Sequence, residues 1–127
     1  MEEKNAQQLL AQTFRLLKFT FGIVPVVAGA DKFTNLLTNW EQYINPAIAS
    51  LLPFSTAVFM MIVGVVEIAA GIIVLRKPET GGYIVAIWLT VIALTLLAGP
   101  DHLDVAVRDL VMAISAFAMA RIAKVVV

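Results

Sequence analysis

Four long apolar runs, separated by short polar breaks, dominate the chain. The first covers residues 13–30 and is interrupted by Arg15 and Lys18. The second covers 54–75 and holds one charge, Glu67; the third, 81–98, holds none. The fourth, 104–123, carries Asp104, Arg108, Asp109 and Arg121 among apolar and small residues. Crossing about 30 Å of hydrocarbon takes roughly 20 helical residues. An isolated strand cannot cross, because lipid offers its backbone groups no partners. The pattern predicts an all-α fold, an integral membrane four-helix bundle in a single domain.

The 23 residues from 31 to 53 are too many for a structureless connection. Phe33, Leu36, Leu37, Trp40, Tyr43 and Ile44 recur at spacings of one, three and four, with Asn35, Thr38, Asn39 and Gln42 on the other side. That pattern predicts an additional amphipathic interfacial helix over about 32–44, facing outward, with Trp40 and Tyr43 at the lipid–water boundary. Asn45-Pro46 is expected to end it, and Pro53 to begin the second span.

Composition agrees: 61% of the 127 residues are apolar and 14% charged, with a mean hydropathy of +0.92. Nine basic and nine acidic residues cancel, leaving no basic stripe to hold nucleic acid. With no cysteine there is no disulfide framework, thiolate nucleophile or Cys-ligated metal centre. Any dithiol chemistry belongs to a partner. Lys4, Arg15, Lys18, Arg76, Lys77, Arg121 and Lys124 fall at the N-terminal part, the 76–80 turn and the C-terminus. The positive-inside bias then puts both termini in the cytoplasm. Lys4, Arg15 and Lys18 ahead of Ala28-Gly29-Ala30 also mimic a secretory signal, but that reading leaves the three later runs unexplained.

The polar residues inside the apolar runs are the candidates for function. Arg15, Lys18, Gly22, Pro25, Gly29 and Lys32 share one helix face. Its small residues permit close helix approach, and its charges either point into the bundle or snorkel to the head groups. Glu67 lies below the midplane of the second span, about 20 Å from its outer end. Counting the same depth down the first span from Asp31 reaches the neighbourhood of Lys18, so an ion pair of Glu67 with Lys18 or Arg15 is expected. That pair is either structural or a proton-exchanging carboxyl beside a ligand.

Asp101, His102, Asp104, Arg108 and Asp109 cluster at the outer end of the fourth span. Asp104 and Arg108 are spaced to bridge on the helix surface, and Asp101 or Asp104 can cap the helix. Asp109 instead joins the small-residue face of Ala106, Ala113, Ala116 and Ala120. An unpaired carboxylate there is costly, so Arg108, Lys32 or a backbone donor is expected to satisfy it. Capping and salt bridges account for this cluster without function; a ligand site at the outer mouth is the alternative. His102, the single histidine, reads as a surface-turn residue, and no metal site is expected. Trp88, Thr90 and Thr95 read as packing and local backbone bonds. No catalytic triad, phosphate loop or paired catalytic carboxylates mark an enzyme.

Arg15-Leu16-Leu17, Gly29-Ala30-Asp31-Lys32-Phe33, the segment from Gly64 through Glu67 to Gly71, Gly81-Gly82, Leu103-Asp104 and Arg108-Asp109 follow one another in order. In this combination the sequence resembles the DoxX family of small bacterial membrane proteins. The resemblance implies a four-helix membrane bundle, distantly similar to vitamin K epoxide reductase, with relatives tied to quinone-linked sulfur oxidation and oxidative stress. Carried over onto this chain, the family's polar positions are Arg15, Lys32, Glu67, Asp104 and Arg108. The chain lacks the cysteines of the reductase-type cousins. The expected function is therefore a small membrane subunit that holds a quinone or similar amphipathic ligand, with no covalent cofactor, for a partner oxidoreductase. Its alternative is a non-catalytic scaffold that assembles with itself or a larger membrane complex. A proton or small-solute pathway in an oligomer ranks last, because no polar stripe crosses the third span.

Overall fold

The computed structural model describes residues 2–126, and these contain helices and turns but no strand. Helix α1 runs Glu2–Asp31, α2 Pro46–Leu51, α3 Thr56–Arg76, α4 Pro78–Leu97 and α5 Leu103–Val126, with a 3-10 turn at Trp40–Tyr43. Three of these, α1, α3 and α4, are long and apolar enough to cross a membrane. Helix α5 is long enough but carries Asp104, Arg108, Asp109, Arg121 and Lys124.

The ends of the helices follow from local chemistry. The Ser55 side chain accepts from Val58 N and caps α3, two residues after Pro53. A single residue, Lys77, separates α3 from α4, and Pro78 opens α4 at a position where a missing N–H costs nothing. The connection can be this tight because Gly81 lies against the backbone of Val74, with no room for a Cβ.

The region expected to be an interfacial helix over 32–44 forms turns and one short 3-10 helix, Trp40–Tyr43, instead of a continuous α-helix. The Asp31 carboxylate, at the end of α1, accepts from Leu36 N, Leu37 N, Trp40 Nε1 and Thr34 Oγ1, each at 2.8–2.9 Å. Asn35 takes a left-handed φ of 53°, a conformation asparagine tolerates better than most residues. Side-chain bonds from an acidic residue thus outcompete the helical ladder that the amphipathic spacing favoured. Asn45-Pro46 begins a helix instead of ending one: the Asn45 side chain accepts from Ala47 N, and Pro46 opens α2.

The four long helices associate as two close pairs. In the first, α1 packs on α3 through glycines: a Cβ at Gly29 would overlap the Gly64 carbonyl oxygen, and one at Gly71 the Gly22 carbonyl oxygen. In the second, α4 packs on α5, with Gly82 against Ala116 and Ala120, and the Tyr83 ring 5.7 Å from Phe117. The two pairs join at the end where α3 turns into α4. There Phe14, Phe21, Ala70, Val74, Val85, Ala86, Ala116, Met119 and Ala123 form the core, with Val74 and Met119 fully buried. Toward the opposite end the pairs part.

Candidate functional site

The space between the parted pairs is a cavity of about 520 Å³, within the range of small-molecule sites. Its walls are Thr20 to Lys32 of α1, Phe59 to Ala70 of α3, Val85 to Leu96 of α4 and Val105 to Met112 of α5, at intervals along each helix. Trp40, Tyr43, Ile44, Asn45 and Ile48 cover it from the connection between α1 and α3. Most of the lining side chains are apolar, so the charged ones stand out.

Lys32 and Glu67 meet there. Lys32 Nζ lies 2.5 Å from Glu67 Oε1, with the two side chains 5% and 12% exposed. The ammonium also sits 3.8 Å from the centroid of the Trp40 ring, so one face of the charge rests on π-electrons. Trp40 is fixed in turn by its Nε1–H bond to Asp31 at 2.8 Å. Asp31 is thus an organising residue of the site, although it does not line the cavity.

The expected partners of Glu67, Lys18 and Arg15, are elsewhere. Gly22 lies against Gly71 and Gly29 against Gly64, and at that register Val26 is level with Glu67 and Lys18 with Leu75. The depth count had aligned the outer ends of the two helices. In the folded chain α3 extends about two turns beyond the end of α1, and the turns after Asp31 fill that step. Lys32, close to Gly64, therefore reaches Glu67 within one side-chain length. Arg15 is exposed and Lys18 partly exposed, its Nζ 5.6 Å from the Phe19 ring.

Asp104 and Arg108 form the expected surface pair at 3.5 Å, 67% and 72% exposed, and point away from the cavity. Asp109 is 8% exposed and lines the cavity. Ala106, Ala113, Ala116 and Ala120, which share its face, are buried as well. Neither Arg108 nor Lys32 pairs with Asp109, and it takes no hydrogen bond among the described residues. Glu67 is the other carboxyl lining the cavity. Trp88 Nε1, on the α4 wall, is the buried side-chain nitrogen without a partner among the described residues.

The remaining polar contacts fix the cover. Asn45 Nδ2 donates to Thr95 O at 2.9 Å, and Glu41 accepts from Thr56 Oγ1 at 2.5 Å. His102 Nε2 bonds Gln42 O at 2.9 Å, and its ring lies 4.6 Å from that of Tyr43. The histidine thus ties the α4–α5 turn to the cover. Thr90 and Thr95 bond the Ala86 and Ile92 carbonyls within their own helix. No three His, Asp or Glu side chains gather as a metal-ligand set among the described residues.

Of the seven candidate ligand-binding residues, the structure brings Lys32, Glu67 and Asp109 together and leaves Arg15, Lys18, Asp104 and Arg108 outside. It adds Trp40, Trp88 and Asp31. The Lys32 ammonium and the Asp109 carboxyl are the charged groups on the cavity wall with valences to spare for a polar head, in a chamber otherwise suited to hydrocarbon, whereas Trp88 Nε1 is enclosed within the wall. Comparison with protein-family models, with curated proteins and with solved structures found no match to this chain.

Proposed function

We propose that this protein is a multi-pass bacterial inner-membrane protein, a DoxX-like four-helix bundle that binds a quinone or similar amphipathic lipid for a partner oxidoreductase. Under this reading α1, α3, α4 and α5 all cross the bilayer, α5 turning its charges to the interior or the head groups. Both termini face the cytoplasm, on the strength of the basic residues at that end. The observation that carries the reading is the apolar cavity with Lys32, Glu67 and Asp109 on its walls. Ionisable groups are expensive at membrane depth and mark ligand or proton sites where they persist.

In mechanism the ligand's tail lies among the aliphatic walls, and its polar head meets the ion pair. Lys32 offers an N–H to a carbonyl or anionic oxygen, and a carboxyl on the opposite wall exchanges a proton with the head. The electrons come from and go to a partner, since the chain has no cysteine for dithiol chemistry.

Mass spectrometry of everything that copurifies after gentle extraction from native membranes tests the reading. The expected result is a stoichiometric quinone or prenylated lipid, lost in Glu67→Gln and retained in Arg108→Ala, whose guanidinium lies outside the cavity. A defined protein complex with no enriched small molecule, unchanged in Glu67→Gln, refutes ligand binding and favours a scaffold.

A further inference from the structure

Asp109 is the charge in the cavity that the fold does not answer. It is 8% exposed, and among the described residues it has neither an ion pair nor a hydrogen bond. Its carboxyl lines the cavity, whereas Trp88 Nε1 is enclosed within the wall. The charged side chains on the lining are Lys32, Glu67 and Asp109, one cation against two carboxyls. Lys32 and Glu67 neutralise one another, and the Trp40 ring lies over the ammonium. The chamber therefore carries one uncompensated negative charge when Asp109 is ionised. A charge so placed is costly in an apolar surround unless a partner of opposite sign meets it.

Three kinds of partner could meet it. A hard metal ion needs several oxygen ligands, and no three His, Asp or Glu side chains gather among the described residues. A proton satisfies Asp109 but leaves about 520 Å³ of largely apolar space unfilled. An organic cation with an apolar body does both. Its charge is the counter-ion of Asp109, and its body fills the space between the aliphatic walls and the rings of Phe21, Tyr43 and Phe59. Aromatic rings also attract a cation through their π-electrons, as Trp40 already does with Lys32.

We infer that the cavity binds a lipophilic organic cation, such as a phosphonium, a quaternary ammonium or a protonated amine, with Asp109 as its counter-ion. Neither the cavity nor its charge balance depends on the quinone reading. Asp109 serves in this way whether it is ionised or protonated in the empty cavity. An ionised carboxylate takes the cation directly; a protonated one exchanges its proton for it, one for one. Affinity for the cation then rises with pH until Asp109 is ionised throughout, and it never falls. The other titratable groups on the lining are Lys32 just after α1, Tyr43 of the cover and Glu67 of α3, and α4 contributes none. Loss of a proton from any of them makes the chamber more negative, so the sign of the pH effect is the same, and replacement of Asp109 assigns it.

The test is equilibrium dialysis of the whole chain in uncharged detergent micelles against tetraphenylphosphonium and tetraphenylborate, with binding to protein-free micelles subtracted. The two ions share size and shape and differ in sign. At about pH 8 the phosphonium is expected to bind at least about tenfold tighter than the borate, the scale of one contact with a buried charge. Asp109→Asn is expected to lose at least about that factor for the phosphonium. Arg108→Ala, whose guanidinium lies outside the cavity, is expected to keep it. Borate bound as tightly as phosphonium overturns the inference with the unmodified protein alone, whatever the folding of the variants. Failure of the phosphonium to bind overturns it too, as does affinity that falls between about pH 6 and about pH 8. A folded Asp109→Asn that binds the phosphonium like the parent also overturns it. Decylubiquinone that binds where the phosphonium does not leaves the quinone reading standing alone, and the reverse result leaves the cation site without it.

Discussion

Removing one member of the Lys32–Glu67 pair should harm the protein far more than removing both. The charges lie 2.5 Å apart, with side chains 5% and 12% exposed. At an effective dielectric constant of about 20 their attraction is on the order of 6 kcal/mol. Withdrawing each ion from water costs several kcal/mol, so the intact pair is close to neutral for stability. Glu67→Gln or Lys32→Met cancels the attraction while one charge stays buried, an expected loss of about 3–5 kcal/mol. In Glu67→Gln the Trp40 ring still faces the ammonium, which places that variant at the lower end of the range. Lys32→Met with Glu67→Leu fills the same space with apolar atoms and leaves no charge stranded, so it should fall within about 1 kcal/mol of the parent. Reversible unfolding by titration of sodium dodecyl sulfate into mixed micelles, followed by tryptophan fluorescence, measures all four proteins on one scale. A single variant within about 1 kcal/mol of the parent, or a double variant as unstable as the worse single, would refute the reasoning.

Two further outcomes follow from the geometry. Gly29→Val should drive α1 from α3, because its Cβ meets the Gly64 carbonyl oxygen, which is backbone and cannot turn aside; a loss of about 1–3 kcal/mol or more is expected in the same titration. Gly99→Ala, whose nearest atom is 3.7 Å away, is the matched control and should leave stability within about 0.5 kcal/mol. Asp31→Ala should release the turns between α1 and the Trp40–Tyr43 helix, since four donors lose their acceptor. Limited proteolysis should then cut within 33–44 faster while the long helices stay protected, and an unchanged cleavage rate would show that Asp31 does not hold this segment.

Glu67 and Asp109 were legible in the sequence for a simple reason. A charge inside an apolar run, or on a face of alanines, is conspicuous whatever it pairs with. Lys32 was legible as a candidate but not as the partner of Glu67, because pairing depends on how far α3 rises past the end of α1. That offset is set by the Asp31-centred turns, and these depend on four hydrogen bonds to one carboxylate. A spacing of apolar residues carries no trace of them, so the same segment read as an amphipathic helix. Its apolar residues divide: Leu36 and Leu37 are 85% and 68% exposed, while Trp40, Tyr43 and Ile44 line the cavity. Trp88 was read as packing since its apolar ring does pack. Whether an indole N–H finds a partner is a property of three helices at once, and no local pattern encodes it.

The division of the molecule into seams and a cavity explains where its polar residues sit. Along α1–α3 and α4–α5, glycine and alanine bring backbones so close that no charged side chain fits between them. Where the two pairs meet, Val74 and Met119 fill the space completely. Buried polar groups can persist only where neither kind of packing operates, which is the parted end under Trp40 and Tyr43. The fold gives up packing energy there that apolar residues would have supplied. Packing alone gives a bundle no reason to keep such a site; under the proposed function, a ligand whose head meets those groups supplies one.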